Sequence, residues 1–460
     1  MIKKIIYISV EVKSREYLPK LFFASRAISK GFDCFIGDKI AIAKAINFFG
    51  PGIYFYKSIN HYDTNHIKRV KKNNLYVAQD EEAGFAKPND KEFNKFITYR
   101  SSRENVKLID RFYNWGKFDY NNYINRYKKN KKKFLITGSP RLDLWKKKIS
   151  DKIFKSQIDQ IKKYKKFVLI ASSGVSSLNE FKKRLIVDRQ AKKLRNQKEI
   201  KKKNIEHMYE YIVFKKTVKL INLLARKFPN INFVIRKHPS ESIKDWNKII
   251  INFPKNVFFD NRFDVYGWIS LSECIIHTAS TVCLQAYYLK KKAISFVPKI
   301  AGGNRGFSNQ FGIKASSEIK VLKVLDQILN KKKKFNIFNK KKNKIFKDRL
   351  FINSKGFASD IIVNDLLKIS KRIIKRKDYK FLFFYSCYLY LRSYLSEIKH
   401  FLIGNKSEKP IQARRSIKEK IPGGLKKKEI NKFYDNVLEN NKIKIMQMGP
   451  NGFFISKKKS

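Results

Sequence analysis

The sequence predicts an α/β protein built from two Rossmann-like domains in tandem, facing a cleft, with a C-terminal helical extension. Three observations carry this. Short apolar runs recur along the chain, and segments of helical period separate them. The rhythm breaks at a charged stretch, residues 146–165, and then restarts. Alternating strands and helices imply parallel sheets with right-handed crossovers. At 460 residues the chain also exceeds one ordinary domain. The expected boundaries are 1–145 for the first domain, 160–330 for the second and 345–460 for the extension and tail.

In order, Ile5–Val10 reads as a buried parallel strand. Residues 15–29 place Leu18, Leu21, Phe22 and Ala27 at near-helical spacing. Phe32–Ile36, Ile53–Tyr56 and Leu75–Ala78 are further strands, separated by helices near 39–48 and 61–72. Residues 90–132 read as mostly helical, and Phe134–Thr137 as a strand. The second half has strands at Phe167–Ala171, Ile231–Ile235, Val257–Phe259, Cys274–His277 and Ala293–Val297. Residues 177–204 are polar and basic and read as an exposed insertion or loop before a helix at 205–227. Residues 330–348 form a Lys/Asn-rich connection, and 357–403 read as helical. The aromatic run Phe381–Leu391 is too short to span a bilayer. It is either a buried helix packed across the domains or an interfacial helix lying on lipid. The tail carries a turn at Ile421, Pro422, Gly423 and Gly424 before another helix.

The bulk numbers exclude several classes. No stretch of about 20 apolar residues appears, and Glu11 soon interrupts the N-terminal apolar run, so the expectation is a cytoplasmic chain without a signal peptide. The four cysteines, Cys34, Cys274, Cys283 and Cys387, have no metal-binding spacing and read as core residues. The net charge of +65 points first to nucleic acid. However, the lysines are spread along the whole chain, and Lys, Asn, Ile, Phe and Tyr are abundant together, which fits residue usage on a solvated surface. No nucleic-acid partner is expected. A basic surface favours anionic donors and the anionic headgroups of an inner membrane.

In open parallel sheets ligands bind beyond the carboxyl ends of the strands, and three polar clusters fall there. Asp80, Glu81, Glu82, Ala83 and Gly84 follow a strand. Carboxylates so crowded repel, and one so placed suits a general base on a hydroxyl, unless the cluster is a solvated acidic loop. Gly84 permits a tight turn. Arg236, Lys237, His238 and Pro239 end another strand and suit an anionic phosphate, or else a satisfied loop histidine. His277, Thr278, Ala279, Ser280 and Thr281 run from a strand into a helix, where the hydroxyls bind phosphate, cap the helix, or both. Glu11, Lys13, Arg15 and Glu16 stand at the end of the first strand, as an acceptor site or a helix-start charge cluster. Arg141 and Asp143, in Gly138–Asp143, are interdomain contacts or part of a structural turn. The glycine-rich loop 301–306 has no P-loop pattern.

The order acidic-Gly, His-Pro, Ser/Thr-before-helix resembles that of bacterial sialyltransferases, the Kdo transferases of capsule export and CDP-glycerol glycerophosphotransferases. The segments YISVEVKSREYLPKLFFASRAISKGFDCFIGDK, ITGSPRLDLW and IPGGLKKKEI are similar to those of the bacterial surface carbohydrate biosynthesis proteins, a GT-B-like family. The resemblance covers nearly the whole chain and implies a metal-independent GT-B glycosyltransferase of surface polysaccharide biosynthesis. It would transfer a sugar from a nucleotide-activated donor, CMP-linked, to a glycan or lipid-linked acceptor, with the nucleotide sugar as substrate and no cofactor. It implies Asp80 or Glu81 as general base and His238 at the donor phosphate. Ser280 and Thr281 would bind the same phosphate. The clusters themselves put Arg236, Lys237, His277 and Gln285 on the donor side as well, and Glu11, Lys13, Arg15, Glu82, Gly84 and Arg141 on the cleft or acceptor side. The chain departs from the related STVGxEA pattern at Cys283 and Gln285, and inserts Ala83 before Gly84. The alternatives are a CDP-polyol phosphotransferase and a non-catalytic nucleotide-sugar-binding assembly protein.

Overall fold

The computed structural model describes residues 4–85, 89–172, 197–238, 241, 246–247, 252–300, 306–332, 335–372, 384–392, 395, 417, 420–437 and 443–458. Pro239, most of the glycine-rich loop, most of the 177–204 stretch and the start of the aromatic run lie outside the described residues. The chain divides into two units, 1–153 with 346–460, and 154–345.

The first unit holds an eight-stranded sheet. Its strands are β1 (Lys4–Ser9), β2 (Phe32–Gly37), β3 (Ile53–Tyr56), β4 (Leu75–Ala78), β5 (Arg111–Asn114), β6 (Phe134–Ile136), β13 (Ile443–Gln447) and β14 (Gly452–Lys457). Their order is β13-β14-β2-β1-β3-β4-β5-β6. β1 to β6 run parallel, and β14 pairs antiparallel with both β13 and β2. Ile5, Ile6, Tyr7 and Ile8 are fully buried, as expected of a central strand covered on both faces. The helix Lys39–Phe49 starts because the Asp38 carboxylate accepts from Ile40 N (2.9 Å) and Ala41 N (2.8 Å). It stops at Gly50, whose φ of +78° suits glycine.

The second unit holds a six-stranded, all-parallel sheet: β7 (Phe167–Ala171), β8 (Asn232–Arg236), β9 (Val257–Phe259), β10 (Cys274–His277), β11 (Ala293–Phe296) and β12 (Ile313–Ala315). Its order, β12-β11-β10-β7-β8-β9, is the 3-2-1-4-5-6 order of doubly wound sheets when counted from β7. Val168, Ile170, Phe233, Ile235, Ile276 and Ile294 pack with Phe214, Leu220, Ile221 and Leu224 of the long helix Gln197–Lys227 and with Val321 and Leu325 of the helix Glu318–Leu329. Both sheets reverse their winding, between β1 and β3 in the first and between β7 and β10 in the second. Those are the places where such folds receive ligands.

The expected α/β class and two doubly wound units are present. The C-terminal part differs from a separate helical extension, because residues 346–460 belong to the first unit. The helix Ala358–Ile369 is tied to it by Arg26–Asp360 (2.7 Å), by Arg111–Asp365 (3.1 Å), and by Asp143, which accepts from Ala358 N and Ser359 N at 2.8 and 2.9 Å. The last described residues extend the sheet as a hairpin, so they are strand and not helix. β5 interrupts the span read as helical. Three cysteines are buried as expected, whereas Cys387 is exposed, on a helix that spans described residues 384–392. Tyr385 of that helix stacks on Phe48, and its Ser386 donates to Gln447 O. Phe384, Tyr388, Tyr390 and Leu391 are exposed. No helix among the described residues is long and apolar enough to cross a membrane.

Candidate functional site

In the first unit the reversal of winding lies beyond Ser9 of β1 and Tyr56 of β3, and charged residues converge there. Glu11 pairs with Lys57, which follows β3, and with Lys420 (2.5 Å). Burial, then Lys420 and Arg100, push the Lys57 ammonium below its ordinary range. Lys13 donates to Gly424 O (2.6 Å) and Glu429 (2.7 Å). The opening segment and IPGGLKKKEI, far apart in sequence, thus meet past the carboxyl end of β1. Gly423 and Gly424 have φ of +69° and +71°, which explains the paired glycines. Asn451 of the β13–β14 turn joins them, accepting from Leu425 N (2.8 Å) and donating to Asp38 (3.0 Å).

Beyond β4 the acidic loop is held in a lattice of cations. Arg100 grips Asp80 at 2.7 and 2.9 Å, and Asp80 also accepts from Glu82 N (2.8 Å), so both its oxygens are engaged. Glu82, largely exposed, pairs with Arg15 (2.8 Å) and Arg100 (3.4 Å). Burial raises its pKa, but Arg100 and Arg15 outweigh burial and hold it below the usual carboxylate range. Glu81 is buried, with Oε1 at 3.0 Å from Lys20. Lys20 is itself buried and donates to Ser9 O (2.7 Å) and to Glu16 (2.8 Å). Of the three loop carboxylates, Glu81 alone keeps an oxygen without a hydrogen-bond partner among the described residues. The loop backbone is fixed too, with Asp80 O accepting from Trp115 Nε1 (2.5 Å) and Glu81 O from Arg141 (2.8 Å).

Gly84 answers to packing rather than to ligand chemistry. A Cβ there would stand 2.6 Å from the Trp115 ring and 2.8 Å from Leu350. Gly84→Ala is expected to cost about 1–3 kcal/mol through overpacking, read from urea unfolding. A loss below about 0.5 kcal/mol would show that Trp115 moves aside freely. Asp143 is fully engaged at the helix Ala358–Ile369, and burial raises its pKa to about 6.

In the second unit, Arg236 ends β8, lies 5.6 Å from the Trp268 ring centre and donates to Arg262 O (2.5 Å) and Phe263 O (3.1 Å). These bonds tie it to the loop after β9. Lys237 donates to His238 O (3.2 Å). His238 is exposed, and its N–H donates to Glu241 (3.0 Å). The buried Glu241 also accepts from Trp246 Nε1 (2.9 Å) and from Ser172, just past β7. It thereby binds the ends of β7 and β8 together. His277 ends β10, at the winding reversal. It is buried, with Nε2 at 2.9 Å from Ser295 Oγ and Nδ1 without a partner among the described residues. Burial pushes its pKa down to about 3, so the ring is neutral and offers a hydrogen bond but no charge. Ala279 has φ +79°, a strained conformation for alanine, in the turn leading to the helix Val282–Tyr288. Ser280 accepts from Val282 N (3.3 Å), Thr281 is exposed, and Gln285 is buried on that two-turn helix.

The sites named from sequence thus form two groups, one at each sheet. Lys20, Lys57, Arg100, Glu241 and Lys420 were missed. Only Glu241 left a sequence signal, an acid three residues after His238 as in a capping turn. Among the described residues no three His, Cys, Asp or Glu side chains are placed to hold a metal ion.

The class of protein defined here is a two-unit, doubly wound α/β protein with polar clusters at the winding reversal of each sheet. No known protein-family model matches the chain, and no curated protein matches it. Among solved structures it is similar to UDP-GlcNAc 2-epimerase from Neisseria meningitidis bound to UDP-GlcNAc, at 14% identity and TM-score 0.45, covering 80% of this chain and 100% of that one. It is also similar to S. aureus MnaA with UDP (12%, TM-score 0.49, 81% and 98%) and to the wall teichoic acid polymerase TagF (14%, TM-score 0.46, 81% and 90%).

Proposed function

We propose that the chain is a glycosyltransferase of surface polysaccharide biosynthesis, taking a sugar from a nucleotide-activated, CMP-linked donor. The observation that carries the reading is the pair of doubly wound sheets, each with a built polar cluster where its winding reverses. On this reading the second unit binds the donor through His238, Lys237, His277, Ser280 and Thr281, and the first unit receives the acceptor. Glu81 is the general base, since Asp80 is saturated by Arg100. It takes the proton of an acceptor hydroxyl, whose oxygen bonds to the anomeric carbon as the bond to the nucleotide phosphate breaks. His238 offsets the charge on the departing phosphate, which leaves no step needing a metal. The exposed side of the 384–392 helix, together with the chain's net charge of +65, supports peripheral contact with an anionic membrane.

The test is thermal stabilisation by CMP, CDP, UDP, GDP and their sugar conjugates. A selective ligand at about 100 times its Kd stabilises the fold by about 2.7 kcal/mol. The expected result is a shift with CMP or its conjugates that His238→Ala abolishes. A shift confined to UDP or GDP would remove the CMP donor, and no shift with any nucleotide would remove the transferase.

A further inference from the structure

Beside the acidic loop beyond β4 stands one cation that makes no ion pair with a carboxylate among the described residues. Arg15 is paired with Glu16 and Glu82, Arg100 with Asp80 and Glu82, and Lys20 with Glu16 and Glu81. Arg141 stands beside them with a single hydrogen bond among the described residues, from Nη1 to Glu81 O (2.8 Å). Its guanidinium lies 4.9 Å from the Phe85 ring centre and 5.6 Å from that of Trp115. As a residue it is half-buried. Burial drives its pKa down to about 10, which reflects a charge that its surroundings do not repay.

A desolvated arginine held by rings and one carbonyl, with most of its five donors unused, is preorganised for an oxyanion. The four neighbouring carboxylates already share three other cations, and none of them is ion-paired with Arg141 among the described residues. We infer that Arg141 binds an oxyanion, and that the acceptor taken by the first unit is anionic, bringing a phosphate or a carboxylate to this guanidinium. The second half of the statement rests on the transferase reading, whereas the anion site itself does not.

The experiment uses the full chain and two probes, pyrophosphate and D-glucuronate. Binding is followed by tryptophan emission, because Trp115 sits beside Arg141. Saturable binding of at least one probe is expected. Arg141→Gln should weaken it at least about tenfold, the loss of one charge-assisted hydrogen-bond pair. Binding of pyrophosphate alone assigns a phosphate-bearing acceptor, and binding of glucuronate alone assigns an acidic sugar. Non-specific attraction to a chain of net charge +65 would hardly change on loss of one charge, so equal affinity in Arg141→Gln overturns the site. The absence of saturable binding by either probe also overturns it. If Arg141→Gln does not fold, Arg141→Lys decides: it keeps the charge and loses the fork, so several-fold weaker binding is expected and unchanged affinity is fatal. Nucleotide stabilisation of Arg141→Gln is expected to match that of the unmodified chain. A chain that binds the anion but no nucleotide keeps the site and loses the transferase.

Discussion

A chain ending at residue 440 is expected to lose the native first unit and keep the second. The truncation removes β13 and β14 and bares the outer edge of β2. Phe453, Phe454 and Ile455 are buried in the intact sheet. At about 1.5–3 kcal/mol for each large apolar side chain, their loss removes roughly 5–9 kcal/mol. That is comparable with the whole stability of a domain, about 5–15 kcal/mol. Asn451 goes with them, and with it the bonds that hold the Asp38 turn and Leu425. The second unit has a separate core from a continuous stretch of chain. Calorimetry of the intact chain against the truncated one should therefore show loss of one transition with the other retained. Limited proteolysis should cut first within residues 1–153. A truncated chain that melts as the intact one does would show that the hairpin is dispensable.

Lys20→Met is expected to cost about 3–5 kcal/mol, the usual consequence of removing one partner from a buried ionic network. Glu16 and Glu81 would keep their burial and lose their shared cation. In the native protein burial acts to raise the Glu16 pKa, but Lys20 and Arg15 overcome it and hold the carboxyl below its ordinary value. Burial likewise acts to lower the Lys20 pKa, and Glu16 and Glu81 overcome it and raise it. The sign of the pH dependence follows. The Glu16 contribution is present above the unfolded pKa of about 4.3 and is lost as pH falls through the depressed native value. The Lys20 contribution holds throughout the neutral range and is lost only as pH rises through its raised native value. In the variant the Glu16 carboxyl, with one cation fewer against its burial, gains a proton more easily, so the deficit should narrow below about pH 4.5. Urea unfolding at pH 7 and pH 4 measures both effects. A deficit that is equal at the two values would place the cost in packing and not in charge.

The central strands were legible because burial on both faces writes a continuous apolar run, as in Ile5–Ser9 and Phe167–Ala171. β5 was not, because Arg111–Asn114 is short and half polar, inside a long polar span. The C-terminal hairpin did leave a trace, Pro450, Asn451 and Gly452 between two apolar runs, which is a turn signal. The flanking lysines masked it. For the candidate sites, strand ends are local features, so Asp80, His238 and His277 were named from the sequence. Their partners were not, since Arg100 reaches Asp80 across 20 residues and Lys420 reaches Glu11 across 409. Likewise nothing local distinguishes an arginine held by a carboxylate from one, such as Arg141, held by rings and a carbonyl.

The first sheet takes its inner strands from one end of the chain and its outer pair from the other, with the second unit threaded between them. During synthesis the order of assembly is therefore inverted. Residues 154–345 can close their core as soon as they emerge, whereas the earlier-made β1 to β6 must wait for β14. At ribosomal rates of about 5–20 residues per second, that wait is on the order of tens of seconds. For that time the edge of β2 is open to other chains. A net charge of +65 sets such half-made chains to repel one another, which opposes pairing at that open edge.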